Sequence, residues 1–171
     1  MLTLRIEAEA DRAAVSTVNL AAFAQGEEAD LVRRLTVEVS ERLSLVAIED
    51  DELVGHILFT PVTLEDAGPP LKGMGLAPLA VLPQSQGRGI GTALVNEGLQ
   101  RLRHAGYHFV VVLGHPGYYP RFGFEPASRY GMRCQWEGVP DDAFMLLPLE
   151  PASLTGRAGL VRFHPAFDQQ V

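Results

Sequence analysis

The feature that most constrains this chain is the run Leu79-Ala80-Val81-Leu82-Pro83-Gln84-Ser85-Gln86-Gly87-Arg88-Gly89-Ile90-Gly91-Thr92. An apolar stretch ends, breakers follow, three glycines stand at alternate positions, and an apolar pattern of helical period begins. The run predicts a strand, a tight turn and a helix. Glycines leave the backbone uncovered, so a ligand can approach the amides closely. The helix start adds amides with no intrahelical acceptor and the positive end of the dipole, roughly half an elementary charge. Together these suit a phosphate or pyrophosphate. A strand-to-helix turn that needs glycine for shape alone fits the same residues.

Two common phosphate loops do not fit. A P-loop needs a Gly-Lys-Ser/Thr end, and the only lysine, Lys72, precedes the turn. A dinucleotide fingerprint asks for Gly or Ala where Thr92 stands, and for an acid closing the next strand. That strand ends instead in Leu113-Gly114-His115.

The rest of the chain supplies a frame for the turn. Leu2, Leu4 and Ile6 alternate with polar residues, as a strand does. Asp11 is placed to cap a helix carrying Val15, Val18, Leu20, Ala21 and Phe23. A second helix, from about Glu27 to Val39, puts Leu31, Leu35 and Val39 on one face, with Glu27, Glu28 and Asp30 as favourable acids of its first turn. Leu43 to Ile48 and Leu53 to Leu64 read as strands joined at Asp50-Asp51. Leu76 to Val81 is the strand before the glycine turn, and Gly89 to Ala105 the helix after it. Phe109 to Leu113 is continuously apolar, which predicts a strand buried on both faces. Tyr118 to Phe122 reads as one or two helical turns, Ala143 to Leu149 as a late strand, and Leu160 to Phe163 as one more. This order of elements is α/β or α+β with a mixed sheet.

Composition narrows the function. The 171 residues suggest one domain, and 47% hydrophobic with 20% charged residues is ordinary for a folded chain. A net charge of -7 argues against a nucleic-acid partner. Cys134, the one cysteine, excludes an internal disulfide and a Cys-rich zinc site, and no metal is expected. No apolar run is long enough for a membrane span, and Met1 to Glu9 does not look like a signal peptide, so a cytoplasmic protein is the default expectation.

Gln86-x-x-Gly89-x-Gly91 resembles the Gln/Arg-x-x-Gly-x-Gly/Ala signature of the GNAT superfamily of acyl-CoA N-acyltransferases. Tyr119-Pro120-Arg121-Phe122-Gly123-Phe124 resembles the Tyr-x-x-x-Gly-Phe block that closes that family's core. The stretch from Leu76 to Phe124 looks like the core in its expected order, and the run Leu113 to Phe124 is most similar to the YhbS-type subgroup.

The resemblance implies a GNAT fold over residues 1–171, with a C-terminal extension from about 150. Its central sheet is mixed and mostly antiparallel, carries a splayed strand pair, and is flanked by helices. It implies acetyl-CoA as acyl donor, with the pyrophosphate on the amides of Gly87, Arg88, Gly89, Ile90, Gly91 and Thr92, and Gln86 shaping the turn. The pantetheine arm would pair with Leu79, Ala80 and Val81. The amide of Ala80 or Val81 would bond the thioester oxygen as charge develops there. Tyr119 matches the family's tyrosine facing the sulfur, the general acid. Relatives often carry a carboxylate base on the strand before the turn, and here Gly75 to Leu82 has no ionisable residue. His56 and His115 are the candidate bases, because an imidazole with a pKa of about 6.5 suits that work. The acceptor would be a primary amine of a small molecule or protein. A CoA-binding sensor without turnover is the alternative, and a homodimer through the late strands a further implication.

Overall fold

The computed structural model describes residues 1–169. Its elements run β1 (Leu2–Ile6), α1 (Arg12–Ala22), α2 (Glu27–Glu38), β2 (Leu43–Glu49), β3 (Glu52–Glu65), β4 (Gly73–Val81), α3 (Ile90–His104), β5 (Phe109–Leu113), β6 (Glu125–Pro126), β7 (Met132–Cys134), β8 (Phe144–Pro148) and β9 (Gly159–Arg162). Short 3-10 turns lie between them. The strands form a nine-stranded mixed sheet in the order β1-β2-β3-β4-β5-β8-β6, with β9 pairing β3 and β7. Antiparallel pairs predominate, and β4–β5 and β7–β9 are parallel. The mixed, mostly antiparallel sheet expected from the sequence is thus found.

The residues group into two compact units: Met1–Thr60 with Ala77–Gly98, and Pro61–Leu76 with Leu99–Gln169. In the first, the β2–β3 hairpin turns at Asp50 and Asp51, both with positive φ (50° and 66°). That matches the paired left-handed residues of a two-residue hairpin turn. The hairpin has different partners on its two faces, because successive side chains alternate. A side chain on Gly55 would meet Leu94 and Ile90 of α3, whereas the next residue, His56, contacts Asn19 of α1. Gly98 of α3 rides directly on Phe59, whose ring lies 2.3 Å from where a Cβ would stand. Gly98→Val is therefore expected to destabilise the protein by about 2–3 kcal/mol. Chemical denaturation checks this, and an unchanged midpoint would show that Phe59 can move aside.

In the second unit β5 pairs along its whole length with β8, from Phe109–Pro148 to Leu113–Phe144. Phe109 to Val112 are buried, as the apolar run predicts, whereas Leu113 at the strand end is 36% exposed. Phe163 packs among Trp136, Phe144 and Phe167. Arg157 holds Asp66 with two bonds of 2.6 and 2.8 Å and also donates to the Pro69 carbonyl. The guanidinium keeps the Asp66 carboxyl below its ordinary value. Phe163, Ala166 and Phe167 bury the C-terminal segment, whose last two residues lie outside the described ones.

Three local expectations need correction. Asp11 does not cap α1 with its side chain. It closes a 3-10 turn leading into the helix, so its carboxylate points back to the Ala8 amide (2.7 Å) and to Arg5. Leu20 is 53% exposed, and Asn19 holds the inward position instead. The helix faces inward at Val15, Val18 and Asn19, the i, i+3, i+4 stripe, and Leu20 lies one residue off it. Val39 is not on the buried face of α2, because the chain turns extended there as the helix ends.

Candidate functional site

The glycine turn has the local geometry its sequence requires. Gly87 and Gly89 adopt φ of +76° and +84°, the left-handed region open to glycine. Nothing lies within 4 Å of where a Cβ would stand on either residue, so the backbone faces open space. The helix begins at Ile90, one residue later than expected, with the Ala93 amide bonding the Gly89 carbonyl at 3.0 Å. The amides of Ile90 and Gly91 thus sit in the first turn, where a helix has no internal acceptor for them.

Neighbouring residues hold the turn in shape. Gln86 donates from Nε2 to the Val81 carbonyl at 3.0 Å, bridging strand end and turn. The Leu82 amide bonds the Val54 carbonyl at 2.9 Å and ties the end of the strand to β3. Ile90 is buried and anchors the helix start. Ala80 is buried, with Leu79 and Val81 half-buried on either side of it. Arg88, exposed between the two left-handed glycines, forms an ion pair with Glu49 at the end of β2. This cradle is anionic-ligand chemistry made from backbone: donors at a helix start, no side chain in the way, and one guanidinium alongside.

The strand ahead of the turn also behaves as the resemblance implies. β4 and β5 pair in parallel over Gly73–Phe109, Met74–Val110 and Gly75–Val111, although β4 continues to Val81.

Tyr119 opens a 3-10 turn, Tyr119–Phe122, that ends at Gly123 with φ of 100°. Its ring is half-buried, edge-on to Tyr118 at 5.1 Å and to Phe124 at 5.8 Å. Burial, then the neighbouring Tyr118, pushes its pKa up to about 12. The phenol therefore stays protonated at any physiological pH. The sequence reading missed Gly114: a Cβ there would lie 2.6 Å from the Tyr119 ring. A glycine just after a continuous apolar run was the available signal, and it marks the close approach of a ring to the backbone.

The two histidines differ. His115 is exposed, and its carbonyl accepts the amides of Tyr118 (3.1 Å) and Tyr119 (3.4 Å), which fixes the start of the tyrosine turn. His56 has no exposed surface. Its Nδ1 meets Asn19 Nδ2 at 3.1 Å and its Nε2 meets Ser44 Oγ at 2.9 Å. Burial lowers its pKa to about 4. As a direct base His56 is corrected by this geometry, since both ring nitrogens are engaged inside the core. Cys134 is a half-buried thiol whose pKa burial pushes up, so it is not an activated nucleophile. Among the described residues, no group of three His, Cys, Asp or Glu side chains is placed to hold a metal, and no helix is long and apolar enough to cross a membrane.

Comparison with known proteins shows the family. The family described as an acetyltransferase (GNAT) domain matches residues 4–127. The chain is 37% identical over 169 residues to the uncharacterized N-acetyltransferase YhbS of Escherichia coli K12, covering 98% of this chain and 99% of YhbS. A crystal structure of E. coli YhbS in complex with CoA superposes with a TM-score of 0.91 at 36% identity, covering 98% of this chain and 92% of that one. A GNAT family acetyltransferase from Brucella melitensis, in complex with acetyl-CoA, superposes with a TM-score of 0.79 at 36% identity, covering 98% and 99%. Signature, sheet and near-full-length likeness converge, and the chain belongs to the GNAT family of N-acetyltransferases.

Proposed function

We propose that this protein moves an acetyl group from acetyl-CoA to a primary amine by direct attack within a ternary complex, as one catalytic domain. The observation that carries the reading is the open left-handed turn at Gly87 and Gly89, whose φ values and free space suit a diphosphate and serve no packing purpose. Two relatives of near-full-length likeness, crystallised with CoA and with acetyl-CoA, support the same cosubstrate.

In this reading the first amides of α3 neutralise the diphosphate, and Arg88 adds one positive charge beside it. Leu79–Val81, beyond the residues of β4 that pair with β5, aligns the pantetheine arm. An amide there stabilises charge developing on the thioester oxygen. Tyr119 donates a hydrogen bond to the departing sulfur. Its high pKa makes it a hydrogen-bond donor at every working pH but a reluctant acid, so its contribution lies in stabilising the thiolate as the C–S bond breaks. Of the two imidazoles, His115 is the one open to solvent and takes the base role for the incoming ammonium. We place the protein in the cytoplasm, where acetyl-CoA is made available to such enzymes.

Tyr119→Phe tests the reading. Acetyl-CoA affinity by calorimetry is expected to stay within about threefold, whereas kcat for an accepted amine falls about 10²-fold, the size of effect usual for a positioned proton donor. Undiminished turnover would remove Tyr119 from the mechanism. Failure of the wild type to bind acetyl-CoA at millimolar concentration would remove the mechanism altogether.

A further inference from the structure

The molecule contains a second polar feature that the acetyl-transfer chemistry does not use. Asn19, Ser44 and His56 are all buried, and the Glu7 side chain is only 5% exposed. They form one directional chain. Asn19 Nδ2 donates to the Val15 carbonyl at 3.0 Å, so that atom is the amide nitrogen, and it also donates to His56 Nδ1. With Nδ1 accepting, the ring proton sits on Nε2 and is donated to Ser44 Oγ. Ser44 in turn donates to Glu7 Oε1 at 2.6 Å. Every donor points towards the Glu7 carboxylate.

The chain ends unfinished. Glu7 Oε2 is buried and accepts no hydrogen bond. Arg12 Nε stands 3.5 Å away, close enough to pair in charge but not to bond. Buried carboxylate oxygens are rarely left so, because an unmet acceptor of this kind is costly. Glu7 also lines a cleft of about 450 Å³ between α1 and α2. The walls there are Val15, Ala29 and Val32, with Thr36 beside them. Arg33, at the same cleft, is engaged by Asp30.

We propose that this cleft binds a small primary ammonium with an aliphatic body, its nitrogen donating to Glu7 Oε2 and its hydrocarbon lying on Val15, Ala29 and Val32. The carboxylate asks for a donor that also brings positive charge, which an alcohol lacks. A carboxylate ligand would meet Glu7 with like charge. Arg12, whose side chain is 47% exposed, has room to swing outward as the ligand enters. The inference stands apart from the acetyltransferase reading, since none of these residues belongs to the glycine turn or the tyrosine turn.

The test is a calorimetric or NMR titration of the full chain at pH 7.5 with n-butylamine hydrochloride, and with sodium butyrate for comparison. Saturable millimolar binding of butylamine is expected, with none of butyrate. Two variants that still unfold cooperatively probe the two halves of the site: Glu7→Gln removes the anchor charge, and Thr36→Trp fills the cleft from its half-exposed side. Each is expected to weaken butylamine at least tenfold. The proposal is overturned by a wild type that does not saturate with butylamine, by butyrate binding as well, or by butylamine binding that survives both substitutions. Acetyl-CoA titration of the same samples reads the glycine turn separately.

Discussion

Gly89→Val abolishes measurable acetyl-CoA binding and leaves a folded protein. The backbone at this residue has φ of +84°, and a side chain there costs about 1–2 kcal/mol, more for a β-branched one. That cost is local, because nothing lies within 4 Å of the new Cβ and no core contact is lost. Binding suffers twice: the methyl groups occupy the open side of the turn, and the strained residue tends to relax the amides out of line. An affinity loss of at least about 100-fold is expected, near 2.7 kcal/mol. Gly106→Val is the matched control. Gly106 has φ of +85° and equally open surroundings, but it follows the C-terminal end of α3. The two variants should lose similar stability, read by thermal unfolding, and only the first should lose acetyl-CoA, read by calorimetry. Equal binding by both would return the turn to a purely structural role.

The second large effect is acid sensitivity set by His56. Its folded pKa is held down at about 4 by burial, against an ordinary value of 6.5. Above pH 6.5 the ring is neutral in both folded and unfolded chains, and stability does not depend on it. As pH falls from 6.5 towards 4 the unfolded chain takes up a proton that the native chain refuses. Stability therefore drops by about 3 kcal/mol across that window, and His56 adds no further loss below it. Asp11 and Asp66, whose carboxyls are lowered by Arg5 and Arg157, act in the same sense as the lowered imidazole, stability falling as pH falls, but at lower pH. Their stabilisation is present above the carboxylate range and is lost only below about pH 4. Urea denaturation at half-unit steps from pH 7.5 to 4.5 isolates the histidine. His56→Gln should flatten the slope within this window, even if it lowers the plateau. An unaltered slope in that variant would assign the acid sensitivity to other groups.

Much of the fold could be read from periodicity. β1, α2, the β2–β3 hairpin, α3 and β5 all lie within a few residues of their expected bounds, because each has a long apolar pattern of one period. β6 and β7, two and three residues long, have no period to detect and exist through pairing with β8 and β9. The glycine turn was legible for a different reason: glycine at alternate positions is a local backbone statement, and local statements survive without tertiary context. Tyr119 was legible as a motif position, but its packing on Gly114 was not. The Glu7–Ser44–His56–Asn19 chain was invisible. Its members come from the residue after β1, from β2, from β3 and from α1, and nothing in the sequence pattern brings them together. Asn19 even displaced Leu20 from the inward face, which no hydropathy pattern would suggest.

An alanine scan across Gln84 to Thr92 would give a misleading map of this protein. The groups that would meet the diphosphate are peptide N–H bonds, which truncating a side chain does not remove. The truncated side chains would report on shape rather than on the ligand: Ile90 through its burial, Gln86 through its bond to Val81, and Arg88 through one exchangeable charge. The strong signals would come from adding atoms at Gly87 and Gly89. If this stretch holds the proposed diphosphate, the chain encodes its ligand by withholding side chains, and engineering for altered cosubstrate affinity gains more from changes in backbone conformation than from new contacts.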